Sequence, residues 1–305
     1  MILLVPEGTE ARYLQGLPQS VEIAYLPKEG PLPEQALRAE FAVAPYGGAK
    51  HFFTVLPQLA ALRVVQTLTA GVDWILPKMP PHITLCDAAG VHDTPVAEWI
   101  VGAILGAVKK FPEFRDAQRE GRWAYQWVDD LEGSTVLFLG YGSIARATER
   151  RLEAFGVHFL RVARTAREGV WALTELPNLL PQADVVINLL PYTPQTEGLF
   201  GAELVAQMKP GSLYVNAGRG KTVDQDALVE AVRAHRIRLI SDVTDPEPLP
   251  EGHPLWSLPG VFFTPHMAGS THKLFERGFR LVVEQVGRYV RGEPLLNTVS
   301  RDQGY

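Results

Sequence analysis

The segment from residue 135 to residue 155 constrains the fold of this chain more than any other part. The apolar run Thr135–Leu139 leads directly into GYGSIA at positions 140–145, and a helical pattern follows. This is G-x-G-x-x-A between a buried strand and a helix, which is the context that a dinucleotide-binding turn requires. Gly140 allows the tight turn, and Gly142 lets the backbone approach a pyrophosphate at the helix N-terminus. The segment therefore predicts a Rossmann-type domain.

The end of the next predicted strand indicates which dinucleotide binds. Val157–Val162 is followed by Ala163, Arg164 and Thr165, and no carboxylate appears before Glu168. NAD-binding domains carry an Asp or Glu in this region for the ribose 2′-hydroxyl. A small residue followed by a guanidinium group and a hydroxyl instead suits a 2′-phosphate. We therefore expect NADP to be preferred over NAD; the alternative is that the arginines of this loop are solvated surface charges.

The rest of the chain alternates short apolar runs with amphipathic stretches, which is the pattern of βα units with a parallel sheet. The predicted strands are Ile2–Pro6, Val21–Leu26, Phe41–Ala44 and Val64–Thr67 in a first series, and Thr135–Leu139, Val157–Val162, Val185–Asn188, Ser212–Asn216, Leu239–Val243 and Val261–Thr264 in a second. The predicted helices are Thr94–Lys110, Ile144–Phe155, Leu199–Met208, Asp224–Arg233 and Lys273–Arg291. Two such series predict two doubly wound α/β domains.

Length, charge and cysteine content exclude several classes of protein. A chain of 305 residues is typical of two domains, and a net charge of -5 argues against a general nucleic-acid binder. Cys86 is the only cysteine, so an intramolecular disulfide and a cysteine-rich metal site are excluded, and we expect no metal. Ile2–Pro6 indicates a strand rather than a signal peptide, and Val96–Val108 is too short to span a bilayer. These features predict a cytoplasmic protein without a membrane segment.

Polar side chains follow three strands of the second series. Arg219 comes after one strand, Glu247 lies in an acidic, proline-rich loop after the next, and His266 follows the last. Open α/β sheets bind ligands at the carboxyl ends of their strands. Each residue alone is more often a surface, loop or core residue. Their joint placement at consecutive strand ends favours a catalytic group.

With these residues the sequence resembles the D-isomer-specific 2-hydroxyacid dehydrogenases, in particular glyoxylate/hydroxypyruvate reductases, over nearly its whole length. The shared motifs are AGVD at 70–73, VAE at 96–98, the glycine turn, LPYTPQT at 190–196, N-x-x-R-G at 216–220, DV at 242–243 with EPL at 247–249, and TPH at 264–266. The resemblance implies a flavodoxin-like substrate domain of residues 1–96 and 272–305, split by a dinucleotide-binding domain of residues 97–271. The sequence departs from the family at Ala163, where many members carry the ribose-binding Asp.

The resemblance assigns the catalytic roles to Arg219, Glu247 and His266, and the chemistry of a 2-keto acid fits them. Arg219 can pair with the carboxylate and polarise the carbonyl. His266 can donate a proton to the developing alkoxide, and Glu247 can stabilise the resulting imidazolium. By the same resemblance, backbone amides at Ala70 and Gly71 bind substrate together with Arg219 and His266. The candidate cofactor-binding residues are Gly140, Gly142, Ser143, Ile144, Arg164, Thr165, Leu190, Pro191, Ala217 and Asp242.

The expected reaction is hydride transfer between NADP(H), or NAD(H), and a small 2-keto acid, with glyoxylate or hydroxypyruvate as the first substrates to test. Phosphoglycerate is less favoured because no room remains for an appended regulatory domain. Formate is less favoured because the resemblance implies that the formate-oxidising branch of the family has Gln where this chain has Glu247. The alternative is a nucleotide-sensing, corepressor-like binding protein on the same scaffold. The resemblance also implies a homodimer, and Trp123 and Trp127 are candidates for a domain or subunit interface.

Overall fold

The chain divides into two compact units in the computed structural model, which describes residues 1–304. The first unit comprises Met1–His92 together with the C-terminal segment from Thr271. The second unit is Asp93–Ser270 and interrupts the first along the sequence. The sequence analysis places the corresponding boundaries after residues 96 and 271, slightly further along the chain.

Strands and helices alternate along most of the chain, as expected for βα units. The strands of the described residues are β1 (Ile2–Pro6), β2 (Glu22–Leu26), β3 (Phe41–Val43), β4 (Val64–Gln66), β5 (Thr84–Cys86), β6 (Thr135–Leu139), β7 (His158–Ala163), β8 (Trp171–Ala172), β9 (Val185–Asn188), β10 (Leu213–Asn216), β11 (Arg238–Ser241) and β12 (Val261–Phe263). The α-helices of the same residues are α1 (Lys50–Val55), α2 (Asp93–Val108), α3 (Phe111–Arg119), α4 (Ser143–Leu152), α5 (Leu176–Leu179), α6 (Ala202–Gln207), α7 (Gln225–Arg233) and α8 (Leu274–Arg291).

The first unit is built on a five-stranded parallel sheet in the order β2-β1-β3-β4-β5. This is the 2-1-3-4-5 order of flavodoxin-like folds. On one face of the sheet, Phe279 and Val282 of α8 pack with the buried side chains of Leu3 and Phe41. Burial of such large apolar side chains is the main stabilising contribution to a core of this kind. The last helix thus returns to the first sheet, in agreement with its amphipathic pattern.

The second unit contains a seven-stranded sheet in the order β12-β11-β10-β9-β6-β7-β8, and every pair of neighbouring strands is parallel. The chain moves from β6 outward to β8 and then continues at β9 on the other side of β6. Such a reversal is the point at which open α/β sheets bind ligands, outside the carboxyl ends of the strands. On one face, Ile100 and Ile104 of α2 are buried against Phe138 and Ile187. The second unit is therefore a Rossmann-type domain.

Some elements differ from the sequence-based prediction for identifiable reasons. Helix α6 begins later than predicted because Phe200 forms a parallel β-bridge with Val223 instead of a helical turn. Helix α2 ends before Lys110, which adopts a left-handed conformation with φ +53°. The sequence analysis misses the short strands β5 and β8 and the helices α1, α3 and α5.

Among residues 1–304, no helix is both long and apolar enough to cross a membrane. In the same part of the chain, no three side chains of His, Cys, Asp or Glu form a group that could hold a metal ion.

Candidate active site

The glycine turn after β6 connects three strands of the Rossmann-type sheet. Gly140 has φ +96°, a backbone conformation that residues other than glycine rarely adopt. Its N–H donates to the carbonyl of Val162 at the end of β7 over 2.9 Å. A Cβ atom at this position would lie 3.0 Å from the carbonyl carbon and oxygen of Leu189, which follows β9. Both the backbone angle and the close approach therefore require glycine at position 140.

Gly142 differs from Gly140 because nothing inside the chain requires it to be glycine. Its φ of −98° is ordinary, and no heavy atom lies within 4 Å of the place where its Cβ would be. It caps α4, whose first-turn N–H groups at Ser143 and Ile144 have no acceptor within the helix. The Ser143 hydroxyl donates to the Asp93 carboxylate over 2.9 Å. Open space beside exposed N–H donors fits the pyrophosphate of a dinucleotide.

The end of β7 carries the residues predicted to select the cofactor. Ala163 is the last residue of the strand, and the side chains of Arg164 and Thr165 beyond it are exposed. Arg167, also in this loop, donates to the carbonyl oxygen of Tyr141 over 2.8 Å and lies over its ring at 5.8 Å. Arg167 therefore braces the glycine turn. The neighbouring Arg164 and Thr165 directly follow the end of β7, the region in which the sequence analysis expects the ribose substituent.

The loop that carries Arg219 is held by side chains from the end of β10. Asn216 accepts the N–H of Gly218 over 3.1 Å, and the Thr222 hydroxyl donates to the Arg219 carbonyl over 2.7 Å. A Cβ on Gly220 would overlap the backbone carbonyl of Thr244, which lies in the loop after β11. The absence of that side chain allows the Arg219 loop to pack directly on the loop that leads to Glu247.

Asp242 shapes the loop that carries His266. Its buried carboxylate accepts the N–H of Met267 over 2.8 Å and the N–H of Ala268 over 2.9 Å, and it also accepts the hydroxyl of Thr264. The backbone N–H of His266 donates to the Asp242 carbonyl over 2.8 Å. These bonds support His266 at φ +50°, which is unusual for a residue other than glycine. The resemblance assigns Asp242 a cofactor contact, and in the structure its carboxylate organises this loop.

Glu247 and His266 form a hydrogen-bonded pair. The distance between Glu247 Oε1 and His266 Nδ1 is 2.8 Å. The side chains are 39% and 47% exposed, so a small molecule can reach them. Because a carboxylate only accepts, Nδ1 carries the proton in this bond, which leaves Nε2 to exchange a proton with a ligand. The loops of Arg219, Glu247 and His266 follow the adjacent strands β10, β11 and β12, so the structure brings these three loops to one edge of the sheet.

The remaining cofactor candidates depend on a residue that the sequence analysis does not identify. Asn188, at the end of β9, accepts the N–H of Leu190 through its side chain over 3.0 Å and the N–H of Ala217 through its carbonyl over 3.1 Å. Its amide donates to the Thr222 hydroxyl over 2.9 Å. Pro191 follows directly and is partly buried. A buried Asn at the end of an apolar strand is the only sequence signal that could have indicated this organising role.

The predicted substrate-binding turn at Ala70 and Gly71 belongs to the first unit. It follows β4, at the carboxyl edge of the five-stranded sheet. The Gly71 carbonyl accepts the indole N–H of Trp74 over 3.1 Å. This turn is thus well ordered by contacts within its own unit.

The match to a known family covers more than half of the chain. Residues 101–268 match the family model described as "D-isomer specific 2-hydroxyacid dehydrogenase, NAD binding domain". Among individual relatives, the chain is 32% identical to the glyoxylate reductase/hydroxypyruvate reductase of Homo sapiens, over 77% of this chain and 76% of that protein.

Solved structures of similar proteins cover the whole chain. A D-isomer specific 2-hydroxyacid dehydrogenase from Xanthobacter autotrophicus Py2, in complex with NADPH and MES, is 28% identical with a TM-score of 0.87. An NADPH-dependent glyoxylate/hydroxypyruvate reductase from Sinorhizobium meliloti, in complex with NADP and sulfate, is 25% identical with a TM-score of 0.85. Each comparison covers 100% of this chain and 99% of the other. The chain therefore belongs to the D-isomer-specific 2-hydroxyacid dehydrogenase family and is an NAD(P)-dependent oxidoreductase.

Proposed function

We propose that this protein reduces a small 2-keto acid to the D-2-hydroxy acid, with NADPH as the hydride donor and glyoxylate or hydroxypyruvate as the substrate. The observation that carries the proposal is the 2.8 Å bond between His266 and Glu247, on a sheet edge shared with the Arg219 loop. A proton donor and a guanidinium group on adjacent loops match the needs of a keto acid. The relatives named glyoxylate or hydroxypyruvate reductases support the choice of substrate.

Arg219 binds and activates the substrate in this proposal. Its guanidinium group can form two parallel hydrogen bonds with a carboxylate, which orients the neighbouring carbonyl. The same positive charge stabilises the negative charge that develops on the carbonyl oxygen. Asn216 and Thr222 donate to the Arg219 carbonyl, so the backbone position from which the Arg219 side chain extends is fixed.

His266 supplies the proton. With Nδ1 bonded to Glu247, the proton on Nε2 of the imidazolium passes to the carbonyl oxygen during reduction. In the oxidative direction the neutral imidazole takes the proton back from the hydroxyl group. Glu247 holds the ring and stabilises its positive charge through the bond to Nδ1.

The residues of the glycine turn fit the cofactor. We assign the pyrophosphate to Gly140, Gly142, Ser143 and Ile144, where the Cβ direction of Gly142 is open. We assign the 2′-phosphate to Arg164 and Thr165. The lining of the cofactor site is completed by Leu190, Pro191, Ala217 and Asp242. When bound, NADPH supplies the hydride for the carbonyl carbon.

NADP is the preferred cofactor in this proposal because of the residues after β7. Ala163 occupies the position at which many family members carry a ribose-binding Asp, and Arg164 and Thr165 follow it in exposed positions. A carboxylate there would repel a 2′-phosphate, whereas a guanidinium group pairs with it. The structures from Xanthobacter and Sinorhizobium, which contain NADPH and NADP, support the same choice.

We further propose that Ala70 and Gly71 bind the substrate carboxylate through their backbone N–H groups.

We also propose a homodimer, with the aromatic segment 123–128 in its interface. Trp123 is 97% exposed and Trp127 is 83% exposed in a single chain. Contiguous exposed aromatic side chains are typical of surfaces that another protein covers. A cytoplasmic location remains a prediction from the sequence.

Steady-state reduction of glyoxylate and of hydroxypyruvate, each with NADPH and with NADH, tests the proposed function. We expect turnover with both keto acids and a higher kcat/KM for NADPH than for NADH. A preference for NADH would contradict the assignment of Arg164 and Thr165 while leaving the reductase activity intact. If neither keto acid is reduced although the cofactor binds, the proposed substrate is wrong and a different keto acid or a sensing role would explain the fold.

A further inference from the structure

The turn after β4 has an unusual distribution of hydrogen bonds. The carbonyl of Thr69 accepts the N–H of Ala88 over 3.0 Å and the hydroxyl of Thr67 over 2.6 Å. The carbonyl of Gly71 accepts the hydroxyl of Thr69 over 2.9 Å and the indole N–H of Trp74 over 3.1 Å. Two carbonyl groups of one short turn are therefore each held by two donors.

The indole of Trp74 and the hydroxyl of Thr69 form a closed arrangement around the Gly71 carbonyl. Besides its bond to Gly71, the indole N–H lies 3.2 Å from the Thr69 hydroxyl oxygen. The ring of Trp74 packs edge-on against Phe53, with 6.1 Å between the centroids. The indole is thus fixed by packing and by two polar contacts, so it can hold the carbonyl in one direction.

The fixed carbonyls determine where the N–H groups of the turn point. In a trans peptide the C=O and the N–H of one plane point in opposite directions. The N–H of Ala70 therefore points away from the donors on the Thr69 carbonyl, and the N–H of Val72 points away from Trp74. Within the described part of the first unit, no acceptor engages the N–H groups of Ala70, Gly71 or Val72. The turn holds the carbonyls of Thr69 and Gly71 and leaves three consecutive N–H groups without an acceptor inside the described part of the unit, an arrangement that binds anions.

We propose that Thr69 and Trp74 are positioning residues that hold the N–H of Val72, beside those of Ala70 and Gly71, ready for the carboxylate of the substrate. This inference rests on the proposed function, since it assumes that the turn binds the keto acid. Donors that are already oriented bind an anion without the cost of reorganising the backbone. Neither side chain needs to touch the substrate, because both act through the Gly71 carbonyl. The proposal also adds the N–H of Val72 to the substrate-binding groups.

The test compares Thr69→Val, Thr69→Ser and Trp74→Phe with the wild-type enzyme. Thr69→Val removes the hydroxyl with little change of shape, and Thr69→Ser keeps the hydroxyl but removes the methyl group. Trp74→Phe keeps an aromatic ring without the N–H. We expect KM for glyoxylate to rise about tenfold in Thr69→Val and Trp74→Phe, because each loses a hydrogen bond that orients the binding site. We expect kcat and the Kd of NADPH to stay within about twofold of the wild-type values. Thr69→Ser should keep a KM for glyoxylate close to that of the wild type.

A second measurement separates this inference from the proposed function. Binding of oxalate to the enzyme–NADP complex reports on the carboxylate site whether or not a keto acid is reduced. We expect its Kd to rise in parallel with KM in Thr69→Val and Trp74→Phe. The matched control is Thr54→Val, which removes a hydroxyl that donates to the Lys50 carbonyl in α1 and should change neither value.

The outcomes are distinguishable. If the wild-type enzyme reduces neither keto acid but oxalate binding weakens in Thr69→Val, the proposed substrate is wrong and the positioning role stands. If oxalate does not bind the wild-type complex, or binds Thr69→Val as tightly as wild type, the positioning role is overturned. Loss of thermal stability in Thr69→Val without rescue by Thr69→Ser would also overturn it, since the hydroxyl would then not be the group that matters.

Discussion

At the scale of single residues, Glu247 acts in the proposed mechanism through His266 rather than by touching the substrate. Its carboxylate bonds to Nδ1 at 2.8 Å, so the other ring nitrogen remains for proton transfer. The pair is reinforced from the backbone, because Asp242 holds the residues on both sides of His266. The bond to Glu247 and the contacts of Asp242 with the His266 loop together orient the imidazole ring, so that Nε2 is the nitrogen left for proton transfer.

Replacement of Glu247 tests this dependence. In Glu247→Gln the charge that stabilises the imidazolium is lost, so we expect kcat/KM for the keto acid to fall about 100-fold while the Kd of NADPH is unchanged. The matched control is Glu251→Gln, an exposed acid in the same loop, which should behave like the wild type. Wild-type kcat/KM in Glu247→Gln would show that the carboxylate does not assist His266.

A carboxyl group outside the second unit predicts how stability depends on pH. Burial raises the pKa of Asp87 from its usual 3.8 to about 6, partly offset by a hydrogen bond from the Ala89 N–H. The unfolded chain therefore loses this proton first, so Asp87 destabilises the fold progressively as the pH rises from about 4 to about 6, and this cost persists above pH 6.

Asp87→Asn should accordingly stabilise the protein at pH 8 by about 1–2 kcal/mol and should have little effect at pH 4, where the carboxyl is neutral in both states. Thermal unfolding of both proteins at the two pH values measures the difference. Asp302→Asn, at an exposed position, serves as the control. Equal effects of Asp87→Asn at pH 4 and pH 8 would contradict the raised pKa.

At the scale of elements, the turn between β6 and α4 contains one glycine that the backbone requires and one that we propose for cofactor binding. Gly140→Ala introduces a Cβ 3.0 Å from the Leu189 carbonyl at φ +96°, so we expect a loss of stability of about 1–3 kcal/mol. Gly142→Ala introduces a Cβ into open space, so we expect stability within about 0.5 kcal/mol of wild type and a Kd for NADPH at least about tenfold higher. Unchanged NADPH binding in Gly142→Ala would contradict the pyrophosphate assignment.

The elements that sequence reasoning recovers are those with a strong local pattern. Strands β6 and β9 have the predicted bounds, because each is a continuous apolar run with turn signals beside it. The sequence also points to the side chains of the proposed catalytic group, since Arg, Glu and His stand out at strand ends. It does not reveal Asn188, or the contacts of Asp242 with the His266 loop. Those bonds join segments far apart in the sequence, and local patterns carry no information about such pairs.

At the scale of the whole molecule, the exposed aromatic segment predicts self-association. We expect size-exclusion chromatography with light scattering to give twice the mass of one chain. Trp123→Lys places a charge on this segment and should shift the equilibrium toward the monomer. Trp171→Lys, at a half-exposed tryptophan on the edge strand β8, is the matched control and should leave the dimer intact. A monomeric wild type, or a dimer unaffected by Trp123→Lys, would contradict the proposed interface.

The central claim is that His266 donates the proton in the reduction of a keto acid, and the rate of NADPH oxidation with glyoxylate by His266→Ala tests it most directly. We expect kcat to fall at least about 100-fold, while the Kd of NADPH stays at the wild-type value and the exposed-histidine control His82→Ala keeps full activity. An active His266→Ala enzyme, with kcat close to that of the wild type, would contradict the account.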